Sequence, residues 1–309
     1  MVEVLGFEPR LLSSKDRVLP LHYTSTVKTG TAGRSRTYIG HFRRVLHFHY
    51  TTAVYLRLVN NTMKVAIMIS GRPRFTREFD DFLNSLSNYD QLDWYFMLWN
   101  TTHEEDVRVP PTWPTDYDAV KERIQSKLPR NSNIVHLSIE EPPAYDDTQE
   151  FRLTPWSIAP HIWTMYYGIY MVNQIREQYG PYDLVIRTRP DIGIAEKLNL
   201  PAIYQSLIAN VNTVLMPSNH RHSMAGPPVN DLFGIALPDT MTLYSQAFTR
   251  LEEFKNKQLP FHGETVLSWH LATSNIHVPD TNFHSVMRLY TNHGGPHDGD
   301  SSVDYGRWN

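Results

Sequence analysis

The sequence predicts a single α/β domain built on a mostly parallel, twisted sheet flanked by helices. Short continuous apolar runs such as Val65-Ala66-Ile67-Met68-Ile69 and Trp94-Tyr95-Phe96-Met97-Leu98-Trp99 read as strands buried on both faces. Stretches of helical spacing alternate with these runs, and a β-α-β-α-β order covers a parallel sheet with helices. The composition agrees, since 41% hydrophobic and 20% charged residues are ordinary for a globular chain of 309 residues.

The first run closes on Ser70-Gly71-Arg72-Pro73-Arg74, a strand ending in a glycine loop. Phe75, Phe79, Phe82, Leu83 and Leu86 then fall at the spacing of one helix face. Trp94–Trp99 is the second strand. Acidic, proline-rich sequence follows, then a short helix at 118–128 and a third strand at Ile134–Ile139. Residues 140–155 read as an irregular surface loop. Ile162, Tyr166, Ile169, Tyr170 and Asn173 share one stripe of a long helix from Ala159 to Gln178, which Gly180-Pro181 stops. The fourth strand, Tyr182-Asp183-Leu184-Val185-Ile186, runs straight into Arg187-Thr188-Arg189-Pro190-Asp191. Val214-Leu215-Met216 and Leu232-Phe233-Gly234-Ile235-Ala236 supply two more short strands, with the polar loop His220 to Asn230 between them. Met241, Tyr244, Ala247, Phe248 and Leu251 mark another helix. His262-Gly263-Glu264 leads into a last one carrying Val266, Leu267, His270 and Leu271.

Charge is unevenly distributed. Residues 1–62 hold nine Lys/Arg against three Asp/Glu, a balance of +6; of the chain's 29 basic and 32 acidic residues this leaves 20 and 29, a balance of −9. The first 62 residues show neither helical periodicity nor strand alternation, and Glu3, Glu8 and Arg10 interrupt the apolar core of a secretory signal. We read them as a spurious basic leader with translation starting at Met63, in preference to a targeting sequence or a basic binding arm. The domain then spans 63–295, and 296–309 is a flexible polar tail. No run approaches the roughly 18 apolar residues of a membrane span. Without cysteine, disulfides and thiolate metal sites are excluded, and a cytoplasmic setting is expected. A net charge of −3 gives no support for a nucleic-acid partner.

The sharpest cluster is Arg187-Thr188-Arg189-Pro190-Asp191, at the end of a buried strand. On an extended chain Arg187, Arg189 and Asp191 share one face. Ligands of open α/β sheets bind beyond the carboxyl ends of the strands. Two guanidiniums there suit a diphosphate through forked hydrogen bonds, and Asp191 could hold a divalent cation on the same phosphates. The competing reading is an Arg–Asp ion-pair network capping the strand.

These segments resemble glycosyltransferases of the GT-A, nucleotide-diphospho-sugar transferase type. The resemblance rests on Ser70–Arg74 after strand one, the Asp93-Trp94 strand and Tyr182–Asp191. Asn230-Asp231-Leu232-Phe233-Gly234 and His262-Gly263-Glu264-Thr265-Val266-Leu267 extend it. It implies a GT-A or Rossmann-like fold and transfer of a sugar from a nucleoside-diphosphate sugar to a hydroxyl of a glycan or other acceptor. It further implies that Ser70, Gly71 and Arg72 contact the nucleotide and Arg187 and Arg189 the diphosphate. The family's Asp-x-Asp metal motif falls on Arg189-Pro190-Asp191, where only the last carboxylate is present. Asp191 would hold Mg²⁺ or Mn²⁺ if a metal is used, with Arg189 supplying part of the cation's charge.

Asp231 and Glu264 are the candidate catalytic groups on the acceptor side, because an inverting transferase needs a carboxylate to take the acceptor's proton. Each has a plainer reading, Asp231 as a turn residue and Glu264 as a first-turn helix carboxylate. His293 and His297 have the spacing of a metal pair, but the intervening Gly294-Gly295-Pro296 forbids a helix and points to a loose tail. A non-catalytic nucleotide- or carbohydrate-binding module of the same fold is the alternative, favoured by the incomplete acidic motif. A nucleotidyltransferase fits less well, since its glycine-rich loop and nearby lysine are missing.

Overall fold

The computed structural model describes residues 62–101, 114, 116–146, 150–155 and 157–286. Residues 1–61, the polar tail, and His293 and His297 lie outside the described residues. The strands are β1 (Lys64–Gly71), β2 (Leu86–Ser87), β3 (Gln91–Trp99), β4 (Ser132–Glu140), β5 (Leu184–Thr188), β6 (Gly193–Ile194), β7 (Leu198–Asn199), β8 (Val214–Leu215), β9 (Gly234–Ala236) and β10 (Ser285–Val286). The helices are α1 (Arg77–Ser85), α2 (Tyr117–Lys127), α3 (Ala159–Arg176), α4 (Leu200–Ala209), α5 (Pro238–Ser245), α6 (Leu251–Asn256) and α7 (Gly263–Thr273).

β1 is apolar along its length because both its faces are covered. Ala66 and Met68 join Tyr95, Met97 and Trp99 of β3 in a core against Ile162, Tyr166, Ile169 and Val172 of α3. On the other face Trp94 and Phe96 stack 5.8 Å apart, and Phe79 and Phe82 of α1 meet Trp94 edge-on. The result is an α/β domain with a mostly parallel mixed sheet flanked by helices.

The main sheet has six strands in the order β4-β3-β1-β5-β9-β8. β1, β3, β4 and β5 are parallel, and β9 runs antiparallel to both β5 and β8. The chain moves outward from β1 through β3 to β4, then returns to place β5 on the other side of β1. The strand order therefore reverses between β1 and β5, the position where open α/β sheets leave a crevice at their carboxyl edge. Reversal of β9 brings the residues that precede it to that same edge, because Gly234 pairs with Arg187 near the end of β5.

At the opposite edge a buried polar network joins the strands. Asp93 accepts from Tyr182 at 2.9 Å, from Gln91 at 2.7 Å and from Asn133 at 3.0 Å, and pairs with Lys64 at 2.8 Å. The hydroxyls of Tyr95 and Tyr182 are hydrogen-bonded to each other. Burial opposes the charge on Asp93, but Lys64 and the three neutral donors outweigh it and hold the carboxyl below its usual range.

The long helix ends at Arg176 rather than Gln178, and the region around Met241 to Leu251 forms α5, a short 3-10 turn and α6 instead of one helix. No helix among the described residues is long and apolar enough to cross a membrane.

Candidate functional site

Gly71 ends β1 with φ +118, a conformation that a side chain would strain, and the chain turns there into Arg72. That turn and the end of β5 flank a cavity of about 220 Å³ at the carboxyl edge of the sheet. β1 and its loop contribute Ser70, Gly71, Arg72 and Arg74, and β3 contributes Trp99. The segment at the end of β5 contributes Arg187, Arg189, Pro190 and Asp191. His161, Thr164 and Met165 close it from α3, at the i, i+3, i+4 spacing that puts side chains on one helix face. All six residues named above as nucleotide, diphosphate or metal contacts therefore line one cavity.

Arg187 is 1% exposed, a guanidinium in the core of the sheet. Its Nη1 donates to the backbone carbonyl of Asp231, across the β5–β9 pair. Its Nε and Nη2 are buried with no hydrogen-bond partner among the described residues. Buried donors are nearly always satisfied, and leaving a charged one unmet costs more than a neutral one. The Tyr244 hydroxyl stands near the guanidinium and interacts with it without making a full hydrogen bond.

Arg189 is engaged differently. Its Nε and Nη2 clasp the two carboxylate oxygens of Asp191 at 2.9 and 2.6 Å, and Arg74 Nη1 lies 3.5 Å from the same carboxylate. Burial disfavours the Asp191 charge, yet Arg189 and Arg74 prevail and hold its carboxyl below the usual range. At Asp191 the ion-pair network foreseen from the sequence is thus present. Both oxygens are taken, the neighbours are cations, and no group of three or more Asp, Glu or His among the described residues is arranged around a metal. A divalent cation at Asp191 does not fit these surroundings.

Asp231 and Glu264 adjoin the cavity without lining it. Asp231 precedes β9, is 7% exposed, and seats its carboxylate on Gly263, where an added Cβ would come within 2.4 Å of Oδ2. Burial, and then the charge of Glu264, push its carboxyl up to about 6, against the pull of Arg187, Arg189 and His262. Glu264 lies in the first turn of α7, with its side chain 20% exposed and Oε2 2.7 Å from His262 Nδ1. The two atoms are close but poorly aligned for a hydrogen bond. The Glu264 contact, against the opposing effect of burial, raises His262 above the usual imidazole value. Tyr166 of α3 donates to the Gly263 carbonyl at 2.6 Å and fixes the start of α7.

The arrangement thus joins a basic cavity to an acidic pair through Arg187 and Asp231. Sequence reasoning placed the arginines and both carboxylates but passed over His161, Thr164, Trp99 and His262. The helical spacing of His161, Thr164 and Met165 was a readable signal; nothing in the sequence distinguished Trp99 from a core tryptophan. Asn230, next to Asp231 in the resembling segment, is structural: fully buried, it donates to Asn219 O and accepts from Leu232 N. Comparison of the chain with models of known protein families finds no match, and comparison with curated proteins finds none either.

Proposed function

We propose that the cavity binds the diphosphate of a nucleoside-diphosphate sugar, and that the protein is a GT-A-like glycosyltransferase passing the sugar to a hydroxyl of a glycan or other acceptor. The observation that carries this reading is the pair of unmet Arg187 donors, buried beside a cavity at the strand-order reversal. Phosphate oxygens satisfy such donors, and two guanidiniums at one edge match a diphosphate better than a single carboxylate. In the reaction the bond from the anomeric carbon to the diphosphate oxygen breaks, and the acceptor oxygen forms the new bond to that carbon. Negative charge growing on the departing diphosphate is met by Arg187 and Arg189, whose guanidiniums are already held at the cavity wall. The acceptor proton passes to Glu264, the member of the Asp231–Glu264 pair that reaches solvent. No step is assigned to a metal.

Thermal denaturation of the full chain with a panel of nucleotides and nucleotide sugars, with and without Mn²⁺, tests the donor site. A donor at a hundred times its Kd adds about 2.7 kcal/mol, roughly 5–10 °C in Tm for a domain of this size. We expect one nucleoside diphosphate to do so without Mn²⁺, and Arg187→Met to abolish the shift. A folded protein that no donor stabilises would sink the transferase reading. The non-catalytic alternative keeps one observation in its favour, the locking of Asp191 into an arginine fork. Binding of the donor with no release of nucleoside diphosphate, across a range of acceptors, would select it.

A further inference from the structure

The basic cavity and the acidic pair share an anchor. Arg187 holds the Asp231 carbonyl through Nη1 while its other two donors are unmet. The charged and titratable groups facing Asp231 are Arg187 and Arg189 from β5 and its extension, and His262 and Glu264 from the start of α7. Tyr166 of α3 and Tyr244 of α5 complete the set. Of these, the two arginines and His262 favour its ionised form. An anion drawn to the arginines cancels part of that support. Burial and the Glu264 charge then dominate, and both favour a proton on Asp231.

We propose that an oxyanion entering the cavity at Arg187 and Arg189 takes up a proton at Asp231, so that anion occupancy and the charge on Asp231 are coupled. The proposal rests on the reading of the cavity as a phosphate-type anion site. By linkage the coupling is reciprocal: protonating Asp231 tightens anion binding by the same factor. Asp231 is suited to this role, since a buried carboxyl already pushed towards neutrality responds to small changes in nearby charge. For a transferase the consequence is a site whose buried charge stays balanced as the donor diphosphate enters and leaves.

Sulfate is the appropriate probe, because it has the charge and shape of a phosphate and does not titrate near neutrality. Its Kd for the full chain is measured by tryptophan fluorescence from pH 5.5 to 8 at constant ionic strength, Trp99 being in the cavity wall. We expect affinity to rise roughly tenfold from the alkaline to the acid end, within the usual range of coupling. In Asp231→Asn the dependence should flatten, which separates Asp231 from His161 in the same cavity. Glu264→Gln, which leaves Asp231 in place, should move the midpoint to lower pH. Sulfate binding that is independent of pH in the wild type, or a slope that survives in Asp231→Asn, overturns the coupling and leaves the anion site standing. Absence of sulfate binding at every pH overturns the anion site itself, and the coupling with it.

Discussion

Asp231 shows how much one residue's role depends on what surrounds it. In the sequence it is a polar residue before a short strand; in the fold it is a buried carboxyl against Gly263, facing two arginines and a glutamate. Its carboxyl is raised to about 6, so the folded state holds the proton more tightly than the unfolded chain. Stability is therefore greatest below the unfolded value near 4 and declines as pH rises through about 6, where the full cost of the buried charge is present. At face value that shift corresponds to roughly 3 kcal/mol at most. Asp231→Asn carries no such charge and should be more stable than the wild type at pH 7.5, by about 1–3 kcal/mol. Urea denaturation checks it: the gap should close by pH 4, and a variant no more stable at pH 7.5 would contradict this account.

At the scale of elements, α7 shows which of two opposing effects wins at a helix start. Gly263 is the first residue of α7, and replacing glycine by alanine inside a helix ordinarily gains up to about 1 kcal/mol. Here the new methyl would sit 2.4 Å from Asp231 Oδ2, with Met165 3.4 Å away. Overpacking of that kind costs about 1–3 kcal/mol, so Gly263→Ala should lower stability despite its better propensity. Equilibrium denaturation at pH 7.5 measures the net sign, and a stabilised variant would mean that Asp231 moves aside freely. Other elements were differently legible. Phe79 and Phe82 of α1 announced themselves by spacing, because one face of that helix packs on Trp94. α4 was overlooked although its signals are local: Asn199 accepts from Ala202 N as the cap, Pro201 stands in the first turn, and Leu200, Tyr204 and Leu207 form the buried stripe. The two-residue strands β2, β6, β7 and β10 carried no such pattern, since pairs that short are set by their neighbours.

For the whole molecule, the buried Asp93 network and the basic cavity sit at opposite edges of one sheet. The Asp93 network ties β1, β3, β4 and the residues leading into β5 together at the amino edge. Removing the Asp93 carboxylate takes the acceptor from Gln91 and Asn133 and the ion-pair partner from the partly exposed Lys64, so Asp93→Ala should cost about 1–3 kcal/mol. With its carboxyl held below the usual range, Asp93 contributes stability above about pH 4 that is lost as pH falls through the folded value. The difference between Asp93→Ala and the wild type, read by urea denaturation, should therefore narrow in acid; a constant difference from pH 3 to pH 7 would exclude the ionic contribution. The sequence by itself determined the α/β class, the continuous buried strands and the residues at their carboxyl ends, because burial on both faces and helical spacing are local patterns. It also singled out Arg187, Arg189 and Asp191, since charges directly after an apolar strand stand out, whereas Ser70, Gly71 and Arg72 were named through the family resemblance. Only the tertiary structure decided that β5 returns beside β1 and that β9 runs antiparallel, because strand order and direction depend on pairing between distant segments. Those two choices bring Asp231 and α7 to the arginines. Tertiary packing also adds Arg74 to the local Arg189–Asp191 pair and leaves Arg187 with two donors unmet, a difference between two arginines that the sequence does not express.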